Sequence, residues 1–441
     1  MAATEHLDIK EHFQKQFTLF ERSLNGEASS PMHTIRKKAL EQFSQIPFPT
    51  RHDEDWRFTN IAPMLQIPFS AVHKATKTNI PQKQLSPLIL PEREAFNLVF
   101  VDGLFAPSLS TVDIDPVVTI TPISALTDAQ QEFLSSKLLD SSALRQDIFS
   151  TLNSAFIRDG VFISIPENFR MEKPIHILFL TASNESIITH PRVIIFAGKN
   201  SHSTIFESYH SLHEARYFTN GVTEISLGEN ATLHHTKVQN ESEQAFHISS
   251  IQSVQGRDSN FTSNVISFGG ALVRNNLATT LQGEGAWCSL NGLYMAHGKQ
   301  HVDNHTTIDH ASPHAESHEL YKGILDQESR GVFHGRIIVR PDAQKTDAKQ
   351  QNKNLLLSDT ATIDTKPQLE IYANDVKCTH GATVGQLDED QLFYLRARGI
   401  DRDAAEDILT HAFARDVINR ISFEPMRTRL EEMIHAKLGK N

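Results

Sequence analysis

For some 200 residues in the middle of the chain, between about 151 and 385, helical patterning is absent, and short strand-like segments recur at nearly even separation instead. VFISIP, IHILFLT, RVIIFAG, STIFESYH and TLHHTKVQ are rich in β-branched and aromatic residues, with Asn, Gly, Asp and Ser between them. That is the composition and punctuation of strands. AFHISSIQSVQ, NFTSNVISF, NNLATTLQ, CSLNGLYMA, HTTIDHAS, SHELYKGIL and GVFHGRIIV continue the series, and from Leu233 onward the segment centres fall about every 13 to 16 residues. No crossover helices separate them, which excludes an α/β sheet. Even spacing leaves a sandwich, a barrel or a solenoid. The polar connectors span only a few residues, too short for Greek-key returns. The expected fold is therefore mainly β: a right-handed parallel β-helix whose coils stack and bury a continuous apolar column, with helical regions on both sides.

Residues 1–150 read as a mixed, mostly helical N-terminal region. Ile9, Phe13, Phe17, Phe20 and Leu24 form one stripe at spacings of three and four, and Ile35, Ala39, Leu40 and Phe43 form a second, stopped by Pro47 and Pro49. A Pro-dotted stretch from Ile67 to Pro91 reads as connecting loop. AFNLVFVDGLF reads as a hairpin turning on Asp102-Gly103. Gly26, Gly103 and the glycines of FGGALV and QGEGAW read as turns. Residues 386–441 are helical again. LDEDQLFYLRARG opens with acids and stops at Gly399 after Arg396 and Arg398, the order the helix dipole favours. A second helix carries Ala405, Ile408, Leu409, Ala412, Phe413, Val417 and Ile421 down one side, and a third carries Met426, Leu430, Met433 and Ile434. So few helices cannot hide that much apolar surface unaided, so they must dock on the β core or on a partner.

Composition narrows the function classes. A net charge of -11 argues against nucleic acid or an anionic membrane as the main partner. No apolar run reaches the roughly 18 residues a membrane span needs. The start, MAATEHLDIKEHFQKQF, carries Glu5, Asp8 and Glu11 and resembles neither a secretory signal nor a transit peptide, so cytoplasm is expected. Two cysteines, Cys288 and Cys378, rule out a disulfide framework and a self-contained four-thiolate cluster.

Cys378 and His380 stand two residues apart in DVKCTHGATVG. On a strand they share a face, so one metal or sulfur species could touch both. Two ligands do not close a site, so other donors must come from elsewhere in this chain or from another protein. Cys288, beside Trp287, reads as a packed core thiol. HGKQHVDNHTTIDHASPHAESH holds six histidines, His297, His301, His305, His310, His314 and His318. Pro313, Asp303 and Asn304 are expected to break that run into turns, so that no face collects all six. Stacked polar side chains on successive coils account for the run without a metal. No GxxxxGK[ST] motif occurs, so ATP hydrolysis by this chain is not expected.

The stretch from Lys353 to Ile400, KNLLLSDTATIDTKPQLEIYANDVKCTHGATVGQLDEDQLFYLRARGI, resembles the SufB/SufD scaffold proteins of the SUF iron–sulfur cluster assembly system. Together with RHDEDWRFTNI and the moderate length, it matches the SufD branch rather than SufB. The resemblance runs from about Asp53 to the C-terminus. It implies a β-helix with helical flanks and a non-catalytic scaffold that pairs with SufB through the β-helix. It also implies binding of the SufC ATPase through the C-terminal helices. The residue matching His380 would face a SufB cysteine where a nascent cluster forms, with Cys378 as a second ligand and support of iron acquisition a further role. No cofactor is then expected to stay on the isolated chain, although a homodimer is plausible there. A metal-dependent or carbohydrate-active β-helical protein is the competing expectation.

Overall fold

The computed structural model describes residues 8–24, 30–72, 80–111, 117–138 and 147–439. The turn expected at Gly26 and part of the Pro-dotted connector lie outside these residues. The core is a parallel β-solenoid of about eight turns, each coil giving one strand to each of two facing sheets. The first sheet includes Arg192–Ala197, Phe218–Leu227, Phe246–Gln255, Leu272–Leu281, His301–His310, Arg330–Val339 and Thr362–Ile371. The second includes Ile175–Thr181, His202–Ser211, Thr232–Asn240, Asn260–Ser267, Trp287–Ala296, Glu316–Leu325, Asp347–Leu356 and Lys377–Gly385. Same-sheet partners lie from 26 residues apart, Phe246 on Leu272, to 32 apart, Arg330 on Thr362. The spacing of 13 to 16 in the sequence is half a coil.

Alternation sends every second side chain inward. Leu233, Phe261 and Cys288 stack in register in one such column, and they meet Ile225, Ile251, Leu277 and Ile337 from the other sheet in a single apolar cluster. One corner of the coil recurs as a left-handed residue: Asn200, Asn230, Asp258, Gly285, His314 and Lys345 all have φ between 53° and 70°. Asn and Gly tolerate that backbone where β-branched residues do not. The Asn230 amide donates to the Asn200 side-chain oxygen at 3.0 Å, and Asn200 donates to that of Asn168 at 2.7 Å, so the corner is itself a ladder.

The hairpin on Asp102-Gly103 forms as expected, with Val101 opposite Leu104 and both turn residues at positive φ. Its strand Phe96–Val101 is a parallel partner of Ile175–Thr181, and Thr119–Pro122 pairs with Val161–Ile165, so both sheets begin within the first 150 residues. Helices Ile9–Ser23 and Pro31–Gln45 bury the predicted stripes. Phe13, Phe17, Phe20 and Phe43 pack with Phe149 and Phe156 against Phe218, Ile248 and Leu272. Helix Glu389–Ala397 is capped by Asp388 and ends on Gly399 (φ 89°), with the Ile400 N–H reaching back to the Leu395 carbonyl.

Helices Arg402–Ile418 and Glu424–Leu438 lie on the outer face of the second sheet. There Val417, Ile418, Leu430 and Ile434 meet Val238, Ile266, Leu293 and Leu320. The stripe expected on Arg402–Ile418 needs correction: Ile408 and Ala412 are exposed, and Thr410, Ala414 and Ile418 are buried in their place. The helix is rotated to suit the flat apolar sheet beneath it. Asp303 and Asn304 also differ from expectation, since they sit inside the ten-residue strand His301–His310 and not in a turn. Neighbouring coils supply their partners: Arg274 for Asp303, and the Asn275 amide, 3.0 Å from the Asn304 oxygen. No helix among the described residues is long and apolar enough to cross a membrane.

Candidate functional site at the open end of the solenoid

The strand Trp287–Ala296, mid-solenoid, is buried along nearly its whole length. Lys377–Gly385, the last strand of the same sheet, is exposed at every position except the half-buried Cys378. It pairs on one side with Asp347–Leu356 and, among the described residues, has no strand on the other. The Lys377 N–H donates to the Thr346 carbonyl. In a parallel ladder the N–H groups of Cys378, His380, Ala382 and Val384 then point toward the free edge. Solenoid ends are normally covered by a polar cap, and a bare strand edge is a template for pairing. Around this edge Tyr372 is 61% exposed, with Ile371 and Val384 also in solvent.

Cys378 and His380 both occupy the inward face of this strand, as the spacing of two predicts. Cys378 stacks on Ala348, which stacks on Ser317 and then Cys288; His380 stacks on Gln350, which stacks on Glu319. The half-burial of Cys378 pushes its thiol pKa up, and the Asp347 carboxylate adds to this against the opposing Ala348 N–H. Left alone, the side chain is a thiol, and a metal must displace its proton to bind. Below His380 the Gln350 amide donates to Glu319 Oε2 at 2.6 Å. Burial raises the Glu319 pKa to about 7. A Cβ placed on Gly381 or Gly385, on the opposite face of the strand from Cys378 and His380, would meet nothing, so that outward face is open.

Cys288 is fully buried, its pKa raised well above the thiol range by burial, as a core thiol requires. It shares a column with Cys378 three strands away, about 14 Å at the usual strand spacing.

The histidine run does not collect on one face. His310 Nε2 is 2.9 Å from Ser317 Oγ inside the core, His314 occupies the left-handed corner, and His297 and His318 pair with Glu243 and Glu316. His305 is different. It stands in register with His334 of the next coil, and Asp55 of the N-terminal region reaches both. Among the described residues these three form the one group of three ligand-type side chains within 4.8 Å of one another. His334 and Asp55 were missed in the sequence because the ligands lie one coil, or most of the chain, apart. Reading the sequence at a 29-residue period would have aligned VDNHTT with GVFHGR. Cys378 and His380 belong to no such group; they stand two residues apart on one face of a strand that pairs on one side.

Residues 179–413 match the family model described as "SUF system FeS cluster assembly, SufBD core domain", and residues 7–177 match "SufBD protein N-terminal region". The chain is 34% identical to an iron–sulfur cluster assembly SufBD family protein of Synechocystis, over 94% of this chain and 93% of that one. It is 31% identical to the iron–sulfur cluster assembly protein SufD of Escherichia coli, over 97% and 96%. It is 26% identical to SufD of Bacillus subtilis, over 98% of each.

Proposed function

We propose, from the premise that this chain belongs to the SufBD family and so serves SUF iron–sulfur cluster assembly, that it is a non-catalytic scaffold holding half of the assembly site. The single observation that carries this reading is the last strand: an edge with Cys378 and His380 side by side on its inward face, the two belonging to no three-ligand group among the described residues. Thiolate and imidazole both serve as iron ligands in clusters. The missing donors come from a sister subunit, SufB, whose own coils continue the stack through the open edge by strand addition. The nascent cluster is cargo at that junction, with His380 opposite a SufB cysteine and Cys378 as a second ligand.

The C-terminal helices are the proposed seat of the SufC ATPase. Phe393, 74% exposed, and Tyr394 stand in solvent on Glu389–Ala397, as does Ile408 on Arg402–Ile418, and these large apolar side chains are what a partner would cover. Motion of ATPases attached to both subunits would open and close a site split across their boundary. His380→Ala in the co-expressed complex tests the reading. The purified complex should keep its subunits and lose the anaerobic charge-transfer absorption of the cluster. Full cluster formation in that variant would remove His380 from the mechanism.

A further inference from the structure

The outer face of the first sheet carries a second, unrelated set of ligand-type side chains. Strand His301–His310 presents Asp303 and His305 on that face, and Arg330–Val339 presents His334 directly beside His305. The two imidazoles meet edge to face with centroids 4.9 Å apart. Asp55 closes the third side from the short turn Glu54–Trp56, with a carboxylate oxygen 3.7 Å from His334 Nδ1. That turn is held on both flanks: Glu54 pairs with Lys366, and the Trp56 ring lies under the Arg274 guanidinium at 3.8 Å.

We propose that Asp55, His305 and His334 form a binding site for one first-row divalent transition-metal ion of the Zn2+ or Fe2+ class. Two imidazoles and one carboxylate, with positions left open, are the donor set such ions take. A distance of 3.7 Å is too long for an Asp55–His334 hydrogen bond, yet an ion with bonds of about 2.1 Å fits between the two after a small rotation of the exposed carboxylate.

His334 Nε2 lies 3.4 Å from Gln368 Oε1, a contact of the kind that aims ligating imidazoles, and His305 Nε2 lies 3.0 Å from the Asp303 carboxylate. Asp303 is itself fixed by Arg274 and Thr59, each at 2.5 Å, so the nearest fixed cation is already neutralised. Beside the triad a cavity of about 470 Å³ reaches toward Asp147 and Ser250, leaving room for water or an anion at the open positions. The site uses neither Cys378 nor His380, so it stands or falls independently of the reading proposed for the open edge.

The test is Zn2+ titration of the untagged full chain by calorimetry, with Co2+ in a parallel sample to read ligand-field bands. The unaltered chain should bind one Zn2+, and so should the Cys378→Ser/His380→Ala double variant. His334→Gln, His305→Ala and Asp55→Asn should each weaken binding by more than about 100-fold and abolish the Co2+ bands. Asp55 is exposed and its substitution leaves the fold alone, so Asp55→Asn decides the matter even if a histidine variant misfolds. Absence of Zn2+ binding in the unaltered chain would overturn the proposal, as would retained affinity in Asp55→Asn and His334→Gln.

Discussion

Glu319→Gln replaces a carboxyl that the solenoid buries completely, with the Gln350 amide as the hydrogen-bond donor to it. Burial raises its pKa from an ordinary 4.5 to about 7. The folded chain therefore holds this proton longer than the unfolded one, and ionisation costs stability. Nothing is lost below about pH 4.5; the loss accumulates between 4.5 and 7 and is complete above. A gap of about 2.5 pH units corresponds to roughly 3 kcal/mol at full ionisation, most of which is lost between pH 5 and pH 8.5. Gln keeps the shape and accepts the same hydrogen bond but cannot ionise. Urea unfolding of both chains, followed by the fluorescence of Trp56 and Trp287, should give stabilities within about 1 kcal/mol of each other at pH 5. At pH 8.5 the variant should be more stable by roughly 3 kcal/mol. Because every other titrating group is common to both chains, parallel pH profiles would refute the argument and show that Glu319 is solvated or paired in solution. The result bears on the candidate site, since Glu319 lies two strands beneath His380 in the same column.

Two other substitutions probe the edge and the helices. Ala382→Pro removes an N–H that faces the open edge while every bond to Asp347–Leu356 survives, so the chain should keep its thermal midpoint and fail to co-purify with SufB. An intact complex would place the junction elsewhere. Lys322 donates to the Phe413 carbonyl at 3.0 Å and to Asp416 at 2.5 Å from an almost fully buried position. Lys322→Ala should cost about 2 kcal/mol and speed hydrogen exchange in 402–438 before the solenoid is affected; uniform exchange would contradict it.

The solenoid was legible because its strands alternate and its corners repeat, two signals that a sequence displays at short range. Asp347–Leu356 escaped that reading. Its sequence, DAKQQNKNLL, sends Gln350, Asn352 and Asn354 inward, so no apolar alternation marks it. Asp303 and Asn304 misled for the opposite reason: residues that usually turn a chain are here satisfied by partners a full coil away. The shared face of Cys378 and His380 follows from a period of two and needed no tertiary information. The Asp55–His305–His334 group could not be read that way, because it depends on which residues a 29-residue coil brings into register and on where the N-terminal turn comes to rest.

Each strand of the solenoid pairs with one made a single coil earlier, which orders events during synthesis. At the usual rate of translation a coil emerges every few seconds, long enough for it to settle on its predecessor before the next appears. Of the strands, the one bearing Cys378 and His380 is therefore laid down last, on a finished support, before the helices Glu389–Ala397, Arg402–Ile418 and Glu424–Leu438. A nascent chain stalled or truncated before residue 377 would end on Thr362–Ile371 and present a different rim, without Cys378 and His380. On the proposed reading, the edge that would meet a partner is completed only after every other coil is in place, so an unfinished copy lacks it.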